Sequence, residues 1–159
     1  MAVYRNARIK TTLFGADNDY VNIQNRRVLY GRLFNDDELV LGTKVVIIGD
    51  TVRRKFFGFS DPVNKIIVIN EQPFRVIGSF YGKGKSITGE DFDNTCIIPY
   101  RAIARGFEKA SVAENIYVQA VDEQSMKEVM QFVDSYYRVK CSVPAGYENV
   151  VDIDLNSET

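Results

Sequence analysis

IIVINEQPFRVIGSF, Ile66 to Phe80, decides the fold. Two apolar runs, Ile66–Ile69 and Phe74–Phe80, flank the turn-forming tetrapeptide Asn70-Glu71-Gln72-Pro73. β-branched and aromatic residues on either side of a short polar break predict a hairpin. Alternation along the second run puts Phe74, Val76, Gly78 and Phe80 on one face. Upstream, Lys44–Ile48 (KVVII) reads as a short buried strand. Asp50–Phe57 reads as a short helix: Asp50 can cap it, Val52 and Phe56 stack four apart, and Gly58 stops it. Asp61-Pro62 marks a turn. Downstream, Thr95–Ile98 is a further strand, and Pro99–Arg105 a short helix opened by Pro99 and closed by Gly106.

The flanks are simpler. Arg8–Phe14 alternates with Ile9, Thr11 and Leu13 on one face and predicts a single strand. Asp17–Asn25 is polar and turn-like, with room for one helical turn. In the last third, Ile116–Val121 predicts a strand. Asp122 then caps a helix whose Met126, Val129, Met130, Val133 and Tyr137 recur at helical spacing, and Glu148–Leu155 predicts a last strand. The fold class is α+β: a strand-rich lobe with short helices, and a β-α-β lobe, dividing near residues 107–114. Phe56, Phe57, Ile67, Ile69, Val76 and Ile98 are expected in a single core.

Composition narrows the chemistry. The 159 residues are 45% hydrophobic and 26% charged with a net charge of −1, an ordinary folded chain with no electrostatic footprint for nucleic acid. No apolar run approaches the ~20 residues of a membrane helix, and MAVYRNARIK lacks the apolar stretch of a signal peptide. Taken alone this reads as cytoplasmic; a domain cut from a membrane protein has the same composition. There is no histidine, which removes imidazole-based catalysis and histidine zinc sites. Cys96 and Cys141 form no CxxC motif. Cys96, in TCII, reads as a small core residue.

The run FRVIGSFYGKGKSITGEDFDN, Phe74 to Asn94, carries Gly84-Lys85-Ser86, the tail of a phosphate-binding loop. The full motif needs a glycine five residues before Gly84, and Ser79 stands there. It also needs a helix after the loop, but ITGEDFDN follows, whose Glu90, Asp91 and Asp93 oppose a phosphate. The favoured reading is a long loop between two strands, with Tyr81, Lys83, Lys85 and Phe92 as candidate partner contacts. Asp91-x-Asp93 opens like a calcium loop, but Ala102 occupies the position that requires a bidentate glutamate, so solvated charge is expected. Arg53-Arg54-Lys55 is expected on the wet side of its helix, Asp152 and Asp154 in solvent, and Met126 and Met130 in a core. No catalytic residue, metal ligand or cofactor site emerges.

The order of these pieces resembles the periplasmic core domain of MacB-like ABC-transporter permeases, relatives of the FtsX and lipoprotein-release permeases. The resemblance is carried by GRLFNDDE (Gly31–Glu38), VVIIGDTVRRKFFG (Val45–Gly58), DPVNK (Asp61–Lys65), IIVINEQPFRVIGSF (Ile66–Phe80), KGKSITGEDFDN (Lys83–Asn94) and IIPY (Ile97–Tyr100). Gly31, Arg32, Phe57, Gly58, Asp61, Pro62, Gly78 and Pro99 are the motif positions with structural roles. Asn64 stands where the family favours glycine, and asparagine suits a left-handed turn. Asn70-Glu71 replaces the usual hairpin glycine, which implies a longer loop. The resemblance implies an excised extracytoplasmic domain on the periplasmic side of the bacterial inner membrane. Residues 16–110 would form a sabre-like lobe, and 1–15 with 111–159 a partial porter-like lobe. It implies no catalysis in this chain, with the ATPase and transmembrane helices elsewhere in the full-length protein. The implied partners are a membrane-fusion adaptor or an exported peptide, lipid or lipoprotein cargo. The rival readings are a stand-alone cytoplasmic interaction domain and a phosphate-binding enzyme using Gly82–Ser86.

Overall fold

The central hairpin is the spine of a mixed sheet. The computed structural model describes residues 1–106 and 118–140. It divides into two compact units, Met1–Tyr117 and Val118–Thr159. The first unit holds strands β1 (Ala2–Tyr4), β2 (Ala7–Ile9), β3 (Thr12–Ala16), β4 (Val28–Gly31), β5 (Val45–Ile48), β6 (Ile66–Ile69), β7 (Gln72–Phe80) and β8 (Thr95–Pro99). Its helices are α1 (Asn18–Ile23), α2 (Asp36–Leu41), α3 (Asp50–Phe57) and α4 (Tyr100–Gly106). The strand order is β2-β1-β6-β7-β5-β8-β3, with β4 also paired to β7.

The hairpin turn is tighter than the missing glycine implies. Ile69 pairs with Gln72, and Asn70 and Glu71 both adopt left-handed backbone, φ 46° and 68°. A two-residue turn of this hand matches the twist of the strands it joins. The strand therefore starts at Gln72 and includes Pro73, and no longer loop forms. Asn64 is also left-handed, φ 65°, as its place at a glycine position implies.

Strict alternation along β7 does not survive. Val46 of β5 pairs with Val76, but the next residue, Ile47, pairs with Gly78. Ile77 is thus an extra residue, a β-bulge. Before it, Phe74 and Val76 join one buried cluster; beyond it, Phe80 joins another, with Ile77 itself. The expected common face of Phe74, Val76, Gly78 and Phe80 is split by this one insertion.

Both faces of the central strands are covered, so the described residues form two cores. The first contains Val46, Ile48, Val52, Ile67, Ile69, Phe74, Val76, Cys96 and Ile98. The second contains Val21, Phe34, Val45, Ile47, Ile77, Phe80 and Ile97. Ile67, Ile69, Val76 and Ile98 do share one cluster. Phe56 and Phe57 are only half-buried against its edge, where Phe57 packs on Tyr4 with ring centroids 4.5 Å apart. Burial pushes the Cys96 thiol up to about 12, in keeping with a core role.

Arg8–Phe14 is not one strand. β2 pairs with β1, and β3 runs parallel to β8 at the other end of the strand order. The break at Lys10-Thr11 is stitched by Asn94: its side-chain amide donates to Lys10 O at 2.9 Å, and the Thr11 hydroxyl donates to Asn94 O at 3.0 Å. Three residue steps, Ile9 to Thr12, span at most ~11 Å, whereas six strand spacings in a flat sheet span ~29 Å. The sheet must curl for the short link to reach.

Helix ends correct the sequence reading in detail. α3 is N-capped by Gly49, not Asp50; Asp50 is its first residue and pairs with Arg53 and Arg54. Pro99 closes β8, and α4 starts at Tyr100. α2 was not expected. Asn35 and Glu38 cap it reciprocally, a capping box whose N-D-D-E spelling stands in the sequence.

The second unit contains α5 (Glu123–Lys140). Asp122 accepts from Ser125 N at 2.7 Å, the expected cap. Met126, Val129, Met130, Val133 and Tyr137 are half-buried, and Phe132 and Val139 exposed. Val118–Val121 is irregular, so the strand expected over Ile116–Val121 is absent from its described part. Glu148–Leu155, Cys141, Asp152 and Asp154 lie outside the described residues. Among the described residues, no helix is long and apolar enough to cross a membrane.

Ile48→Ala, in the first core, is expected to destabilise the chain by about 3–4 kcal/mol. Phe57→Ala, at that core's edge, should cost roughly half as much. Urea midpoints of the two variants check this; equal losses would mean Phe57 is a core residue.

Candidate functional site

The Tyr81–Asn94 segment joins β7 to β8 and is held at its root. Lys85 and Asp91 form an antiparallel bridge, and Ser86 N donates to Glu90 O at 2.8 Å. Gly89 N closes the turn on Ser86 O at 2.9 Å. The segment is therefore a small hairpin, with Ile87 fully exposed at its tip.

Its root is organised by Asp93. Lys83 N donates to Asp93 Oδ1 at 2.8 Å and Gly84 N to Oδ2 at 2.7 Å. Arg26 Nη1 reaches Oδ1 at 3.2 Å, with both side chains more than nine-tenths buried. Arg26 also donates to Phe92 O and lies against the Phe80 ring, 5.4 Å from its centroid. Asp93 O accepts from Thr51 N at 3.2 Å in the first turn of α3. The Thr51 hydroxyl donates to Asp91 Oδ2 at 2.9 Å. A Cβ at Gly49 would stand 2.1 Å from Asp93 O, so α3 takes a glycine where a side-chain cap would otherwise sit.

The phosphate-like loop thus has an anion on its amides already, the protein's own carboxylate. Successive backbone N–H groups in a glycine-rich turn form a concavity suited to oxyanions of any origin. Asp93 is not solvated loop charge, as the sequence implied, but a buried clamp. Arg53 also departs from expectation: it is buried, donating to Asp50 and, through Nη1, to Gly58 O at 2.6 Å. Arg54 and Lys55 remain exposed.

Of the candidate contacts, Tyr81, Lys83 and Lys85 are exposed and Phe92 is half-buried. Lys83 Nζ lies 5.7 Å from the Phe92 ring centroid and donates to Gln24 O at 3.3 Å. The Tyr81 ring lies under Arg27, 5.6 Å from its guanidinium carbon. All four lie on the hairpin segment, and it brings Lys83 against Phe92. Sequence reasoning missed Ile87, Asp93 and Arg26; no local signal joins Arg26 to a residue 67 positions away.

The motif positions lie elsewhere in the sheet unit. Gly31 has φ 75°, and a Cβ there would sit 2.0 Å from Ile77 O, so its backbone closes directly onto the bulge. A Cβ at Gly78 would sit 2.7 Å from Arg32 O. Arg32 forks onto Glu38 with two 2.8 Å bonds. Gly58 ends α3 at φ 62°. Asp61 Oδ1 accepts from Val63 N at 2.9 Å, and Pro62 O from Lys65 N at 3.2 Å, which form the turn into β6. Phe57 and Pro99 have the places given above.

Both the sequence and the fold have relatives. The sequence profile of the MacB-like periplasmic core domain matches residues 1–136. The chain belongs to the MacB-like periplasmic core domain family. It is 31% identical over 131 residues to the pyoverdine export ATP-binding/permease protein PvdT of Pseudomonas aeruginosa, covering 82% of this chain and 20% of that protein. It is 31% identical over 156 residues to the macrolide export ATP-binding/permease protein MacB of Chlorobaculum tepidum, covering 95% and 23%. The chain thus spans about a fifth of the length of these curated relatives. Two solved structures share the fold. The extracellular domain of the noncanonic ABC-type transporter YknZ from Gram-positive bacteria has TM-score 0.75 at 22% identity, covering 90% of this chain and 71% of that one. The periplasmic region of MacB from Actinobacillus actinomycetemcomitans has TM-score 0.69 at 19% identity, covering 89% and 62%. The chain is thus a MacB-like periplasmic core domain of mixed α+β fold, an extracytoplasmic domain of an ABC-transporter permease.

Asp93→Asn is expected to cost roughly 2–4 kcal/mol, because a buried guanidinium loses its charged partner, while Lys85→Ala should stay within ~0.5 kcal/mol of the parent. Chemical unfolding of both checks this. Glu38 supplies a pH test. The Arg32 hydrogen bonds hold its carboxyl below the ordinary value of 4.5, against the opposing effect of burial. The pair's stabilisation is therefore complete above that value and is lost as pH falls through the lowered one. Glu38→Gln should flatten the acid limb of the stability curve there; an unchanged limb would remove the pair from the acid response.

Proposed function

We propose that this domain relays ATP-driven movement to a partner on the extracytoplasmic side, and performs no bond chemistry of its own. ATP hydrolysis and the membrane helices belong, in this reading, to other parts of the full-length permease. The partner is a membrane-fusion adaptor protein or an exported peptide, lipid or lipoprotein. PvdT and MacB, by their names, export pyoverdine and macrolides; cargo of that general kind fits the same role.

The clamped hairpin carries the reading. Its tip projects an apolar side chain, Ile87, with Tyr81, Lys83 and Lys85 exposed on the same segment, and its root is tied to the sheet through Asp93. A contact element ordered before binding loses less entropy on association. The phosphate-enzyme reading has less support, because the amides it needs are taken by Asp93. The stand-alone cytoplasmic reading has less support, because the family is an extracytoplasmic one.

The test uses the full-length permease in its own membrane. Ile87→Asp combined with Tyr81→Ala should lower export about tenfold or more, the effect of a lost contact worth over ~1.4 kcal/mol, with basal ATP hydrolysis retained. Full export with both changes would remove the hairpin from partner contact. Failure of a membrane-impermeant thiol reagent to label Ile87→Cys from the periplasmic side would overturn the placement.

A further inference from the structure

The root of the hairpin is a binding site filled from within. Two amides, Lys83 N and Gly84 N, point to the two different oxygens of one carboxylate, and a guanidinium reaches the first of those oxygens. Two amides and an arginine on one planar anion make a recognition set for a carboxylate or small oxyanion. The donors come from segments far apart in the chain, and Arg26 is held independently of Asp93. Outside the Tyr81–Asn94 segment, its Nη2 lies 3.4 Å from Thr95 Oγ1 and its guanidinium rests on the Phe80 ring. The cationic wall of the site therefore stays in place when the carboxylate is removed.

Gly82 keeps the site tight. A Cβ there would come within 3.2 Å of Asp50 Oδ2 and 3.4 Å of Asp93 Oδ2. The neighbouring Asp50 does not compete for the donors, since its oxygens are engaged by Arg53 and Arg54.

We propose that Lys83 N, Gly84 N and Arg26 form an oxyanion site whose resident ligand is Asp93, and that its occupancy decides whether the Tyr81–Asn94 segment stands as a rigid hairpin. A small monocarboxylate presents the same two oxygens as Asp93. It fills the site once that side chain is absent. This holds whatever the domain's role in transport.

The experiment uses the 159-residue chain with Asp93→Gly, formate as the probe and chloride at matched ionic strength as the control. Amide hydrogen exchange at Lys83 and Gly84 should rise by about tenfold or more in the variant, the response to lost local protection. High-millimolar formate should return most of that protection, leave the parent unchanged, and fail when Arg26→Met is added. Unchanged exchange in Asp93→Gly, equal recovery in chloride, or equal recovery in the double variant would each overturn the proposal. Should Asp93→Gly fold poorly, its refolding yield in formate against chloride reads the same question: a higher yield in formate supports the site, equal yields refute it.

Discussion

One extra residue in the central strand governs the sheet unit. β7 borders β6 and β4 along one edge and β5 along the other. The bulge at Ile77 reverses which residues face each side. Without it, Phe80 would point into the layer that holds Phe74 and Val76, and the second core would lose a large aromatic. With it, the strand serves one core along its first half and another along its second. The same irregularity accounts for two glycines: Gly31 must close on Ile77 O, and Gly78 on Arg32 O. A side chain at either would collide with backbone, which cannot move aside as a flexible side chain can.

The glycine-lysine loop shows how little a nest specifies about its ligand. Backbone amides converge on negative charge, and phosphate, sulfate and carboxylate all satisfy them. Here the anion is supplied nine or ten residues further along the chain. That choice ties three things together. The loop acquires a rigid root, Arg26 is neutralised without solvent, and residue 93 is held where its backbone oxygen accepts from Thr51 N in the first turn of α3. Desolvating the ion pair is costly unless its remaining donors and acceptors are filled, and the amides and carbonyls around it fill them.

The proposed relay role fits this construction. A part that transmits movement must deform less than the joints on either side of it. Strands covered on both faces are close-packed and resist compression, and a hairpin fastened at its base moves with the sheet that carries it. Under the proposed relay role, the exposed Ile87 tip would report the position of the sheet unit to the partner it touches.

Much of the secondary structure is legible in the residues themselves. KVVII, the apolar runs around Asn70-Glu71, TCII and the helical spacing from Met126 to Tyr137 each encode an element through local periodicity. The order of the motifs also carries the family. What no local pattern encodes is pairing. The bulge arises because β5 and β7 must match residue for residue along two buried faces. Arg8–Phe14 breaks because its halves serve opposite ends of a curled sheet. Asp93 reads as a surface acid until Arg26, 67 positions away, is brought beside it. Periodicity is a property of neighbours in sequence, so it fixes which residues form strands and helices. Register, burial of charge and the filling of the loop depend on groups that meet only when distant segments pack, and those the tertiary structure alone decided.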